Sequence, residues 1–143
     1  MANWNWPSKV MDAYNEARGL FVGDAETDFL CETEVIHQMT PIEALMFLSL
    51  VRCRLLLSSL KIKPQEPVGP YRADFVVEMD GLAAVIECDG HDFHEKTRDQ
   101  AAHDRKRDRT MQLMGMKVFR FTGSEVWKDA DACVAEALSL GRI

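Results

Sequence analysis

Asp74, Glu87 and Asp89 can act together only if the chain between them folds back on itself. The sequence is patterned to do so. Residues 71–91 read YRADFVVEMDGLAAVIECDGH, two alternating runs around Asp80-Gly81, a dipeptide that strongly signals a two-residue hairpin turn. With that pair as the turn, Met79 faces Leu82, Val77 faces Ala84 and Phe75 faces Ile86. Asp74 then faces Glu87, and Arg72 faces Asp89. Ala73, Phe75, Val77 and Met79 share an apolar face with Leu82, Ala84, Ile86 and Cys88. The opposite face gathers Arg72, Asp74, Glu87 and Asp89 at the end away from the turn. Carboxylates directly opposite each other repel. A divalent cation is the simplest offset, and oxygen ligands suit Mg²⁺ or Mn²⁺, with the Cys88 backbone carbonyl as a further ligand. Such an ion activates water and stabilises charge developing on a phosphate. The plainer reading leaves these acids as solvated strand residues, but three of them in one cluster favour the metal. Arg72 opposite Asp89 also reads as an ordinary cross-strand ion pair, which contributes little.

Other residues can serve the same chemistry. Glu43 lies in Thr40-Pro41-Ile42-Glu43, where a capping box accounts for it fully, yet the same carboxylate can also be delivered to the metal. His91, just past the acids, can contact a phosphate or move a proton. Cys88, His91 and His94 resemble a zinc set superficially, but their spacing is wrong and no second cluster completes it. Lys96, Arg98, Arg105, Lys106, Arg107 and Arg109 are interleaved with Asp99, Asp104 and Asp108. That pattern suits a solvated helix laced with ion pairs, a phosphate-contacting face, or both. Asp104 and Arg107 lie one turn apart and can both face the strand ends.

The surrounding elements follow from periodicity and caps. Residues 1–39 read as an acidic helical extension, with one helix from Pro7 to about Leu20 and a second from Glu26 to Gln38. Trp4 and Trp6 have no explanation in the sequence. A central, buried helix starts at Pro41 and is expected to reach about Leu60, because its apolar residues surround it. A connection with a short strand near residues 62–65 leads into the hairpin of strands 72–79 and 82–89. A helix from Lys96 to about Met114 ends at Gly115, followed by a strand over residues 117–122. Strand, helix and strand in that order make a crossover, so residues 117–122 should run parallel to residues 82–89. Thr122-Gly123-Ser124-Glu125 opens a last helix to about Leu140. The fold class is α/β: a mixed sheet flanked by helices, with residues 1–39 as an extension on a domain spanning residues 40–143.

Composition sets limits. The chain has 143 residues, 47% hydrophobic and 28% charged, and a net charge of −6. That charge argues against coating nucleic acid by bulk attraction. Residues 1–43 hold eight acidic and two basic groups, however, while residues 44–143 hold fifteen of each. The larger part is neutral overall and free to present a basic face. Four scattered cysteines without a Cys-x-x-Cys pair, and an N-terminus unlike a signal peptide, suggest reduced thiols in the cytoplasm. Arg52 and Arg54 interrupt the most apolar stretch, so no membrane span is expected.

One resemblance joins these residues. Gln65, then Tyr71-Arg72-Ala73-Asp74-Phe75, then Ile86-Glu87-Cys88-Asp89-Gly90 with His91 or His94, are followed by Asp104-x-x-Arg107-Asp108, Met111, Gly115, Val118 and Arg120-Phe121. This order resembles the very-short-patch-repair-endonuclease-like branch of the PD-(D/E)XK nuclease superfamily, over about residues 40–126. The resemblance implies a restriction-endonuclease-like fold and Mg²⁺-dependent phosphodiester hydrolysis, with Mn²⁺ able to substitute. Asp74 takes the place of the metal-binding aspartate and Glu87 that of the second acid. Glu43 matches a helical glutamate near the metal. Asp89 stands where the superfamily name has lysine, an exchange that looks normal in this branch. Arg72, Lys96, Lys106 and Arg107 are candidates for the missing positive charge, and His91 for orienting water. The function implied is a DNA endonuclease. The alternative is a nuclease fold that binds nucleic acid or a protein without cutting. With 143 residues, sequence specificity is expected to come from loops, a homodimer or a partner subunit.

Overall fold

The computed structural model describes residues 6–89 and 97–140, except the side chain of Leu140. The expectations for Trp4, Gly90, His91, His94, Lys96 and Gly141 fall outside the described residues.

The Asp80-Gly81 turn sets the centre of the sheet. Both residues have positive φ, 53° and 81°, as a type I′ hairpin turn requires. Strands β2 (Tyr71–Met79) and β3 (Leu82–Asp89) pair antiparallel from Met79↔Leu82 to Phe75↔Ile86, in the register read from the sequence. On one side of the hairpin lies β1 (Lys61–Val68), antiparallel to β2; on the other lies β4 (Lys117–Thr122), parallel to β3. The order is β1-β2-β3-β4, a mixed sheet. β1 is longer than the short strand expected. It tolerates Pro64 and Pro67 because it is an edge strand, where a missing N–H on the outer side breaks no ladder.

Helices cover both faces. α3 (Pro41–Cys53) begins with the expected capping box, Thr40 Oγ1 accepting from the Glu43 N–H at 3.2 Å. Every residue from 44 to 51 is buried, consistent with a central helix. It packs in one cluster with Phe75, Val77 and Ile86 of the sheet, and Phe47 stacks on Phe75 with centroids 6.0 Å apart. α1 (Ser8–Arg18), α2 (Asp24–Glu32) and α5 (Gly123–Leu140) contribute Val10, Phe29, Val134 and others to the same cluster, and Trp6 packs against it. α4 (Arg98–Leu113) crosses from β3 to β4 over the opposite face, where Met111 packs with Val68, Val76 and Val85. No helix among the described residues is long and apolar enough to cross a membrane.

Three boundaries differ from expectation. α3 ends at Cys53 rather than near Leu60, and turns follow in which Leu55 and Leu56 are exposed. Apolar periodicity continued there without burial to support a helix. The second expected helix splits into α2 and a 3₁₀ segment, Thr33–Gln38. α4 starts at Arg98 because Thr97 forms a capping box with Gln100.

Candidate active site

The site lies where β2 stops behaving as a regular strand. Pairing with β1 passes from Pro64↔Phe75 to Glu66↔Ala73 without a Gln65↔Asp74 rung. Gln65 has φ of +53°, a left-handed conformation that a non-glycine residue adopts at a cost of about 1–3 kcal/mol. On the other side the β2–β3 ladder ends at Phe75↔Ile86. The strand therefore bends at Asp74, and the facing alternation breaks. Ala73, expected beside Phe75, packs instead with Val76, Val85 and Met111 on the α4 side. The expected rungs Asp74–Glu87 and Arg72–Asp89 are not part of the ladder. A side-chain contact takes their place: the Cys88 N–H donates to Asp74 Oδ2 at 2.8 Å, satisfying a backbone group the ladder leaves open.

Asp74 and Glu87 nevertheless meet. Glu87 is only 4% exposed. Burial, then the neighbouring Asp74 charge and hydrogen bonding between the two carboxyl groups, push its pKa up to about 8, against the opposing pull of Arg107 and Arg120. Arg107 Nη2 donates to Glu87 Oε1 at 2.6 Å and also to the carbonyl oxygen of Arg72. Its guanidinium lies 5.6 Å from the Tyr71 ring centroid, a cation–π contact. Arg107 Nε is buried without a hydrogen-bond partner among the described residues. Arg120 stands beside Glu87 in the parallel register and is held by Asp108 at 2.7 Å, with Asp104 at 4.0 Å.

Glu43 does two things. Its Oε1 accepts from the Thr40 N–H at 3.4 Å, closing the capping box, while Oε2 accepts from Gln65 Nε2 at 2.7 Å. Burial, then the charges of Asp74, Glu43 and Glu87, raise the Cys88 thiol well above its usual range, so all three carboxylates act on one neighbourhood. Asp89 is half-buried in register with Thr122. Lys106 and the Arg72 side chain are exposed.

The donor set bears on the expected ion. Among the described residues no group of three or more His, Cys, Asp or Glu is placed to hold a metal. That does not suit a closed protein cage. Mg²⁺ in general keeps several waters and takes one or two carboxylates together with substrate phosphates. Glu87 is buried beside the half-buried Asp74, and burial with the Asp74 charge keeps it protonated up to about pH 8.

The matched family model spans residues 47–139, more than half of the chain, and is that of REase_MTES_1575. The chain belongs to this restriction-endonuclease-like family. Comparisons with curated proteins and with solved structures find no match. The family segment contains Asp74, Glu87, Asp89, Arg107 and Arg120, and it begins after Glu43.

Two contributors had no role assigned from sequence. Arg120 is a charged residue within the otherwise apolar KVFRFT strand, a signal that its side chain meets an acid. Gln65 enters the resemblance, but its residue type does not signal a positive φ, which glycine, asparagine and aspartate favour.

Proposed function

We propose that this protein is a metal-dependent nuclease that hydrolyses phosphodiester bonds, an endonuclease acting on DNA, within the very-short-patch-repair-like branch of its fold. The observation that carries this reading is the paired acids Asp74 and Glu87 at the bend of β2, beside Arg107. Asp74 and Glu87 would hold Mg²⁺ or Mn²⁺, with the Cys88 carbonyl and Asp89 in support. The ion supplies Lewis-acid polarisation of the phosphate and a more acidic bound water. Arg107 already anchors on Glu87, and its guanidinium is our choice for the positive charge that Asp89 does not provide. Burial of Glu87 and packing by Met111 exclude bulk water behind the acids, which strengthens each of these interactions. Four free thiols fit a reducing, cytoplasmic setting.

The test is cleavage of plasmid and single-stranded DNA with Mg²⁺ or Mn²⁺, with Asp74→Ala and Glu87→Ala as controls. Cleavage that survives both substitutions sinks the assignment. A second reading, a nuclease fold that binds without cutting, is favoured by one feature: both acids already have protein partners, Cys88 N–H and Arg107. Calorimetric titration separates the two, since no Mn²⁺ uptake at millimolar concentration selects the binder.

A further inference from the structure

We propose that Tyr71 is a positioning residue: its ring face, together with the backbone carbonyl of Arg72, holds the Arg107 guanidinium on Glu87. This inference deepens the nuclease reading and rests on it for the cleavage arm of its test. An arginine is usually fixed on a carboxylate by a fork of two parallel N–H bonds. Arg107 is held differently. Among the described residues both of its hydrogen bonds leave through one nitrogen, Nη2, which donates to Glu87 Oε1 at 2.6 Å and to the Arg72 carbonyl oxygen. These bonds pin one corner of the group and do not engage Nε, which is buried. The remaining restraint comes from the Tyr71 ring, whose centroid lies 5.6 Å from the guanidinium carbon above its face.

The ring is itself placed by both strand and helix. Tyr71 opens β2 and pairs with Val68 across a tight turn, in which Gly69 has φ of +57°. On α4 the His103 ring meets Tyr71 at 6.4 Å and 78°, an edge-on contact. His103 and Arg107 lie four residues apart, so the Tyr71 ring rests against two successive turns of α4. The Tyr71 hydroxyl makes no hydrogen bond among the described residues, which leaves the ring as the working part. One short stretch of β2 thus carries an acid of the site, Asp74, and two restraints on the arginine opposite. Without the ring, Arg107 would keep its charge but could swing toward solvent, to which its side chain is already 22% exposed. Misplacing such a group slows the chemical step more than it weakens substrate binding.

Tyr71→Leu and Tyr71→Met remove the aromatic face and keep much of the bulk, whereas Tyr71→Phe keeps the face. On plasmid DNA, kcat should fall about tenfold in the first two while KM changes little, and Tyr71→Phe should retain most of the rate. In an Arg107→Ala background Tyr71→Leu should cost nothing further, because the ring acts through the arginine. Side-chain ¹H–¹⁵N NMR in a chelator reads the same restraint without activity. The buried Arg107 Nε–H should exchange slowly with water in the parent and in Tyr71→Phe, and fast in Tyr71→Leu and Tyr71→Met. An active parent whose Leu and Met variants turn over normally overturns this assignment alone, as does a Phe variant as slow as they are. A full further loss in the Arg107→Ala background also overturns it. A parent that does not cut DNA overturns the nuclease reading. The assignment then rests on the NMR, where slow Nε–H exchange in the Leu and Met variants overturns it.

Discussion

Arg107 on α4 reaches across to Glu87 on β3 at 2.6 Å, joining the covering helix to the most buried acid of the sheet. The Glu87 side chain is 5% exposed and that of Arg107 22%. At this depth the pair is held in a medium where an uncompensated charge is expensive. Which partner is removed, and at what pH, therefore decides the consequence.

Arg107→Ala is expected to be strongly pH-dependent in its effect. Above about pH 8 Glu87 is ionised, and loss of Arg107 makes it take up a proton, which adds about 1.4 kcal/mol to the cost for each pH unit above 8. At pH 5 Glu87 is protonated, and most of that cost disappears. Urea unfolding midpoints at pH 5 and pH 9 measure the difference. Equal losses at both would mean that Arg107 stabilises by packing on Tyr71 and not by charge.

Glu87 itself should make the metal-free protein less stable as pH rises. Its folded pKa of about 8 lies above its ordinary value of 4.5, so the fold favours the protonated form. The contribution is full below pH 4.5 and is lost as pH passes through about 8. Glu87→Gln keeps the hydrogen-bonding shape without the titration. It should flatten the dependence and raise the melting temperature at pH 8 by a few degrees, on the order of 2–4 °C per kcal/mol for a domain of about 150 residues. Melting curves of both proteins between pH 5 and 9, in a chelator, give the answer. A parent whose melting point does not move across that range would contradict the raised pKa.

Much of this arrangement was legible from local chemistry. Asp80-Gly81 set the turn type and, with it, the pairing from Met79↔Leu82 to Phe75↔Ile86. The caps at Thr40 and Thr122 placed two helix starts, because a capping box satisfies backbone groups within four residues and needs no tertiary context. The bend at Asp74 was not legible. It depends on Gln65 adopting positive φ on a neighbouring strand, and strict alternation put Ala73 on the wrong face. Asp74 and Glu87 were still correctly brought together, since the Cys88 N–H holds Asp74 where the ladder would have done. The early end of α3 was hidden for another reason: Leu55 and Leu56 extend its apolar pattern while lying on the surface.

The two duties of Glu43 can be separated by substitution. Thr40→Ala removes the side-chain acceptor of the cap and should cost about 1 kcal/mol of stability, with little change in cleavage. Glu43→Gln retains a residue that serves equally well in a capping box and should leave stability nearly unchanged. It removes the negative charge, however, and should lower kcat by at least about tenfold. Thermal melts and initial cleavage rates of the two variants form a crossed comparison. If Glu43→Gln cuts DNA as fast as the parent, Glu43 is a cap and nothing more.

The outward face of α4 makes the last prediction. Its acids Asp104 and Asp108 turn inward to Arg120, and Arg107 turns inward to Glu87. Arg98, Arg105, Lys106 and Arg109 remain exposed, with Asp99 as the exposed acid among them. A helix that looks balanced in sequence is therefore basic on its surface, next to the proposed site. Replacing Lys106 or Arg105 by alanine should weaken binding of duplex DNA similarly for unrelated sequences, and should reduce the salt dependence by about one phosphate contact each. Lys9→Ala, in the N-terminal helix, should change neither. Fluorescence anisotropy in a chelator, over a range of salt concentrations, reads binding without cleavage. An unchanged salt slope in both α4 variants would move the DNA path to another face of the protein.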